Sequence, residues 1–243
     1  MEKILITKGG RKFYVSDNTK DYHCQYGMVK AKELGRKDGS LVKTNTGKEL
    51  YLLSPDFIDR FEKIKRQAQI IPLKDIAMVI AYCGITRSTT VLDAGTGSGA
   101  MACYLAHIAD RVVSCDIRED HLETAKKNKL RLGLKNLELR KSDITNPEEF
   151  DELYDVVTLD IPNPWDAMDT LKKVLLVGGY CVSYSPCIPQ VIDFVNALPD
   201  NFIHLKTIEI IEREWEVGQR KVRPKTTQVC HSGFLSIIRK ITD

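Results

Sequence analysis

The chain has 243 residues, of which 43% are hydrophobic and 28% charged. That is long enough for one full α/β domain with a small accessory domain and leaves little room for extended disorder. No apolar run approaches the length of a membrane span and the N-terminus carries no signal-peptide pattern, so a cytoplasmic protein is expected. Lysines and arginines number 36 against 33 acids, and the net charge of +3 is too small to imply a nucleic-acid partner by itself. Lys126, Lys127, Lys129, Arg131, Lys135, Arg140 and Lys141 crowd one predicted helix and its exit, where a solvated face explains them as well as a binding surface does. Arg220, Lys221, Arg223 and Lys225 form an acid-free run around Pro224 that reads as a loop suited to phosphate contact, the alternative being that these cations pair with Glu212, Glu214 or Glu216 on the opposite strand. None of the seven cysteines (Cys24, Cys83, Cys103, Cys115, Cys181, Cys187 and Cys230) makes a CxxC pair, which argues against a zinc site, and no metal is expected.

Residues 1–53 read as short strands separated by turns: Lys3–Thr7, Lys12–Val15 and Leu50–Leu53, with turn signals at Gly9-Gly10, Asp17-Asn18, Asp38-Gly39 and Thr46-Gly47. This is a small β domain. Ser54-Pro55 predicts the start of a linking helix over 54–69, with Ser54 as cap and Pro55 in the first helical position. From residue 70 onward strands and helices alternate. Helices are predicted at 73–83, 98–109, 119–132, 164–176 and 188–197, with strands at 90–93, 111–115, 137–139, 156–159 and 179–184. Such alternation builds a parallel sheet covered by helices on both faces. Two long strands, Leu205–Ile211 and Thr227–Ile238, are predicted to close the sheet as an antiparallel hairpin joined by the basic segment.

The sharpest local feature is Val91-Leu-Asp-Ala-Gly-Thr-Gly-Ser-Gly-Ala100, a strand that ends in an acid and turns through three glycines into a helix. Glycines allow unusual backbone angles and close approach of a ligand, while the free N–H groups at a helix start favour a polar or anionic group. No Gly-Lys-Ser/Thr follows, so this is not a Walker loop. Gly95, Gly97 and Ala100 also satisfy a dinucleotide fingerprint, which leaves NAD open at this point. The acids favour S-adenosylmethionine. Asp93 is placed for the donor's ammonium, Asp116 at the end of the next strand for both ribose hydroxyls, and Asp143 after the third strand for the adenine amino group. Thr96, Ser98 and Gly99 complete the loop, and Ile117 and Ile144 follow the acids as further cofactor contacts. Acids at consecutive strand ends line the crevice at the carboxyl edge of such a sheet, giving the Rossmann-like class I S-adenosylmethionine-dependent methyltransferase fold.

A fourth strand end, Leu159-Asp-Ile-Pro-Asn-Pro-Trp165, resembles the LDLPxPW-like motif of the tRNA adenine-N1 methyltransferases of the TrmI type. Further stretches resemble the same family in the same order: Asp21-Tyr-His-Cys-Gln-Tyr-Gly27, Arg66-Gln-Ala-Gln-Ile-Ile71 with Lys74-Asp75, Ser114–Asp120, Tyr184–Val191 and Arg223–Phe234. The resemblance implies methyl transfer from S-adenosylmethionine to ring nitrogen 1 of adenine 58 in the tRNA T-loop, with adenine 57 as a second target in archaeal-like members. It also implies a homotetramer that binds tRNA across subunits, Gln69 of the entry segment as a cofactor contact, and Asp160 as the catalytic residue that also touches the donor. The chain departs from the family at Pro72, where an aromatic residue or His is usual, so base stacking is not assigned to that position.

Alignment of nitrogen, methyl and sulfur is most of what such a transfer requires. The Asp160 carboxylate can accept a hydrogen bond from the exocyclic amino group of adenine and stabilise the charge that moves onto the purine. The base must be flipped from its stack to arrive there. Tyr184, His231 and Trp165 are candidates for shaping its pocket, and Arg220, Lys221, Arg223, Lys225 and His231 for contacting the tRNA. A methyltransferase with another substrate and a non-catalytic tRNA-binding subunit remain alternatives. The intact Asp93–Gly99 loop and Asp160 speak against the latter.

Overall fold

The computed structural model describes residues 1–67, 70–218, 220–227 and 231–243. The chain divides into two compact units, Met1–Lys63 and Ile64–Asp243.

The first unit contains β1 (Lys3–Ile6), β2 (Lys12–Val15), β3 (Tyr22–Cys24), β4 (Gly27–Val29), α1 (Ala31–Leu34), β5 (Leu41–Lys43), β6 (Glu49–Leu53) and α2 (Phe57–Phe61). A four-stranded antiparallel sheet runs β2-β1-β6-β5, and β3 and β4 pair as a separate hairpin. Alternation along β6 (exposed, buried, exposed, buried, exposed) sends Leu50 and Leu52 into a core with Leu5, Val15, Val29, Leu34 and Val42. The cap of α2 corrects the sequence expectation. Asp56, not Ser54, caps it: the Asp56 carboxylate accepts from the Asp59 N–H while Asp59 accepts from the Asp56 N–H, and the helix is only five residues long. Ser54 instead donates to Asp38.

The second unit begins with α3 (Leu73–Cys83), for which Pro72 supplies the extended cap residue. It continues through β7 (Thr90–Ala94), α4 (Ala100–Ile108), β8 (Arg111–Asp116), α5 (Glu119–Leu132), β9 (Leu137–Lys141), β10 (Tyr154–Leu159), α6 (Met168–Val174), β11 (Leu175–Ser185), α7 (Ile188–Asn196), β12 (Phe202–Ile208), β13 (Trp215–Gly218), β14 (Lys221–Pro224) and β15 (Phe234–Lys240). Seven strands form one sheet in the order β12-β15-β11-β10-β7-β8-β9. The five from β11 to β9 are parallel, and β15 is antiparallel to both of its neighbours. The chain proceeds from β7 outward to β9, then returns to lay β10 on the other side of β7. The carboxyl ends of β7 and β10 therefore meet at a topological switch point, where such sheets bind ligands. This is the Rossmann-like fold expected.

Several boundaries differ from expectation: the last strand, expected from Thr227, begins at Phe234, and the strand before it, expected over Leu205–Ile211, is Phe202–Ile208. The stretch 164–176 is a 3₁₀ turn at Pro164–Ala167 followed by α6, and Leu175 already belongs to a strand of 11 residues. The basic segment expected as a loop is itself a hairpin of β13 and β14. Within the described residues no helix is long and apolar enough to cross a membrane. Cys103, Cys115 and Cys181 are buried free thiols, and Cys230 lies outside the described residues.

Candidate active site

The glycine loop is shaped by what surrounds it. Gly95, Gly97 and Gly99 have φ of 93°, 51° and 77°, the left-handed region that side chains avoid. A Cβ on Gly95 would stand 2.0 Å from the carbonyl oxygen of Asp160, and one on Gly99 would stand 2.9 Å from Cβ of Ala125. The N–H groups of Gly95 and Thr96 both donate to the Cys115 carbonyl, at 2.9 and 3.2 Å, and the Asp160 N–H donates to Ala94 at 2.8 Å. The loop after β7 is thus stitched to β8 on one side and to the end of β10 on the other.

Strand register places Thr158, Asp93 and Ser114 in one row across β10, β7 and β8. Asp93 is 2% exposed, and each of its oxygens accepts a hydroxyl: Thr158 at 2.7 Å and Ser114 at 2.6 Å. Thr96 Oγ1 joins the row at 2.7 Å from Ser114 Oγ. Burial lifts the Asp93 carboxyl to about 6, against the two hydroxyl bonds and with help from the charge of Asp116. Asp116 accepts from the Gly97 N–H at 2.9 Å and the Arg118 N–H at 2.9 Å, with His121 Nδ1 at 3.0 Å. A carboxylate offers about four acceptor positions, so Asp116 retains capacity for a ligand. Ile117 beside it is 63% exposed, an apolar surface at the strand end.

Asp143 is half-buried, and one of its oxygens is taken by the N–H and hydroxyl of Thr145, at 2.9 and 2.8 Å. The Ile144 side chain is buried in the domain core. Gln69 lies outside the described residues. Among the described residues before it, the Gln67 N–H donates to Ser98 Oγ, and buried Asn128 bonds both the N–H and the carbonyl of Lys65 while donating to the Ser98 carbonyl. Asn128, set in a basic helix, was not singled out from sequence; a polar residue on the buried face of an amphipathic helix was the available signal.

Asp160 is exposed at the end of β10, and Asp93, Thr158 and Tyr184 line a small cavity with it. Desolvation there, then the charges of Asp93 and Asp116, raise its carboxyl to about 7. A cavity of about 10 Å³, room for one water, is lined by Asp93, Thr158, Asp160 and Tyr184 together with apolar Ile71, Val79 and Met101. The Tyr184 ring packs on Gly233, where a Cβ would stand 2.5 Å from the ring, and its hydroxyl donates to the Ser232 carbonyl at 2.5 Å. Burial, followed by the charge of Asp75, pushes Tyr184 up to about 12. Ser232 is tied in turn to a buried ion pair: Lys74 Nζ lies 2.8 Å from Asp75 Oδ1, Ser232 Oγ donates to Asp75 Oδ2 at 2.7 Å, and Lys74 donates to the same hydroxyl. This network too was missed as chemistry, although both of its segments lie in stretches quoted from the sequence.

The remaining candidates are dispersed. Trp165 is half-buried in the turn before α6, whose approach is held by Gln190 donating to the Pro162 carbonyl. His231 is exposed, between the Glu209 carboxylate at 2.6 Å and the Pro186 carbonyl at 3.0 Å. Both partners are acceptors, which favours imidazolium and raises its pKa. In the β13–β14 hairpin, Lys221 and Arg223 both pair with Glu216, at 2.9 and 3.1 Å, and Lys225 pairs with Glu214. The run that contains no acid in sequence therefore faces acids across the hairpin.

The donor set fits S-adenosylmethionine: glycines that leave backbone room, a buried acid beside them, a second acid with spare acceptor capacity and an exposed Ile at the next strand end. The chain is 32% identical, over 98% of its length and 94% of the relative's, to the tRNA (adenine(57)-N(1)/adenine(58)-N(1))-methyltransferase TrmI of Methanocaldococcus jannaschii. Its fold is similar to that of a SAM-dependent O-methyltransferase from Thermotoga maritima, with a TM-score of 0.89 and 26% identity, covering 100% of this chain and 93% of that one. It is also similar to that of the tRNA (m1A58) methyltransferase TrmI from Aquifex aeolicus, with a TM-score of 0.86 and 23% identity, covering 100% and 98%. Residues 52–238 match the family described as tRNA methyltransferase complex GCD14 subunit, and the chain belongs to that family.

Proposed function

We propose that this chain methylates ring nitrogen 1 of adenine 58 in the tRNA T-loop, with adenine 57 as a second target, and uses S-adenosylmethionine as donor. The observation that carries this reading is the position of Asp160, held by its own backbone against Gly95 of the donor loop. A group presented to the base is thereby fixed relative to the loop that holds the donor. The 57/58 enzyme named above supports the choice of base.

In this reading the Gly95–Gly99 loop, Asp93, Asp116, Ile117, Asp143, Ile144 and Gln69 hold the donor, which supplies an electrophilic methyl on a cationic sulfur. Asp160 accepts a hydrogen bond from the exocyclic amino group, orients N1, and favours the positive charge that arrives on the purine. The total charge does not change during the transfer, so no proton has to move in that step. Tyr184, fixed by Gly233 and Ser232, forms a wall of the base pocket. Arg220, Lys221, Arg223, Lys225 and His231 contribute phosphate contacts from the C-terminal side; exposed ion pairs are weak enough to exchange a carboxylate for a phosphate. Assembly as a homotetramer follows from the family resemblance, and a cytoplasmic setting accords with a tRNA substrate.

Mass spectrometry of nucleosides from an unmodified tRNA transcript, incubated with the protein and donor, tests the reading. It expects 1-methyladenosine that disappears when positions 57 and 58 are changed to G. Methylation of another nucleoside, or none, would contradict it.

A further inference from the structure

In the first unit a groove of about 560 Å³ lies between the Thr7–Arg11 turn and the Gly47–Glu49 turn. Its charged lining residues are Lys8, Arg11, Lys48 and Glu49. Glu49 is already occupied by Lys43 at 3.1 Å. Most other cations of this unit also hold a carboxylate, as Lys3 holds Asp38 and Lys12 holds Asp59. Among the described residues Lys8, Arg11 and Lys48 have no such partner.

Two of these three rest on aromatic rings instead. Arg11 lies 5.9 Å from the Phe13 ring centre and Lys48 lies 5.3 Å from that of Tyr26, while the two rings meet edge to face at 5.7 Å and 81°. A ring seats a cation without neutralising it, whereas a carboxylate cancels its field. The seats are themselves fixed. Thr46 Oγ1 donates to the Tyr26 carbonyl at 2.6 Å, and Gly27, at φ 105°, lies where a Cβ would be 2.3 Å from Asn45 Oδ1. On the opposite wall the Arg11 N–H donates to Thr7 Oγ1 at 3.0 Å. The Tyr26-Gly27 turn, singled out in the sequence and unused by the methyl-transfer site, thus builds one wall of this groove.

We propose that the groove is a second RNA-binding site, in which Lys8, Arg11 and Lys48 take phosphates of the tRNA backbone. The proposal rests on the tRNA reading above and adds to it a site in the N-terminal unit. Three uncancelled cations in one concave surface suit a polyanion, and phosphate contacts of this kind are independent of sequence and release counterions.

The test uses the full chain and an unmodified tRNA transcript, with affinity measured by fluorescence anisotropy from about 50 to 200 mM salt. The triple variant Lys8→Gln, Arg11→Gln, Lys48→Gln is compared with a control of equal charge change in the same unit, Lys32→Gln, Lys37→Gln, Lys63→Gln. The groove variant is expected to flatten the slope of log affinity against log salt by about two, as loss of three phosphate contacts would. The control should keep the slope of the unaltered chain, and all three proteins should bind S-adenosylhomocysteine alike. An unchanged slope in the groove variant, or an equal change in both variants, would overturn the proposal while leaving the tRNA reading intact. If the unaltered chain binds no tRNA, the reading fails and the groove proposal falls with it.

Discussion

The α-carbon of Gly95 faces the backbone carbonyl of Asp160 so closely that a Cβ would stand 2.0 Å from its oxygen. The donor loop and the loop bearing the proposed catalytic acid are therefore one packed object. Gly95→Ala has to push the Asp160 segment away and also hold a φ of 93° that alanine resists. We expect a stability loss of about 2 kcal/mol or more by chemical denaturation, with donor affinity falling in parallel. A variant with unchanged stability and unchanged affinity for S-adenosylhomocysteine would show that the two loops are not coupled.

The raised carboxyls have a signature in stability. Asp160 keeps its proton up to about pH 7 in the folded chain, and Asp93 up to about 6, against about 4 for an unfolded aspartate. Between pH 4 and 7 the folded state thus holds more protons, so these groups make stability fall as pH rises. Asp160→Asn removes one charge that folding disfavours. Its melting temperature should exceed that of the unaltered protein by clearly more at pH 8 than at pH 5, the two converging towards pH 4. A variant less stable at pH 8, or offset equally at both values, would rule out this electrostatic account.

The buried Lys74–Asp75 pair supports the wall on which Tyr184 rests. Asp75 is fully buried, and its removal strands the Lys74 ammonium and the Ser232 hydroxyl. Asp75→Ala is expected to cost about 3–5 kcal/mol in urea unfolding. Ser232→Ala, which leaves the ion pair intact, should cost about 1 kcal/mol. Equal costs for the two would mean that the ion pair is not the organising element.

Much of this was legible in the sequence because it is local. The glycine run, the acids at successive strand ends and the 3.6-residue period of Glu119–Leu132 each declare themselves within a few residues, and α5 spans the expected range. What was not legible depends on pairing between distant segments. Nothing near Asp93 says that Ser114 and Thr158 share its row; that requires the order of β10, β7 and β8. The same holds for Ser232 reaching Asp75 across 157 positions. The segment after Ile211 read as a loop because its charges dominate. Pairing of its cations with the upstream acids was the competing reading, but the residue-for-residue pairing of Trp215–Gly218 with Lys221–Pro224 that brings Glu216 opposite Arg223 was not legible. The cap of α2 was misplaced by two residues because Ser54-Pro55 is as good a start signal as Asp56, and only the reciprocal Asp56–Asp59 bonds decide between them.

The most direct test of the proposed site is single-turnover methylation of tRNA by Asp160→Ala, with donor affinity measured on the same preparation. The carboxylate is assigned to the adenine and is held clear of the bonds that shape the donor loop. The rate should therefore fall by about two orders of magnitude or more, with S-adenosylhomocysteine affinity within a few-fold of the unaltered protein. Donor affinity lost in proportion to rate would make Asp160 a donor ligand, and a rate left unchanged would remove it from the chemistry altogether.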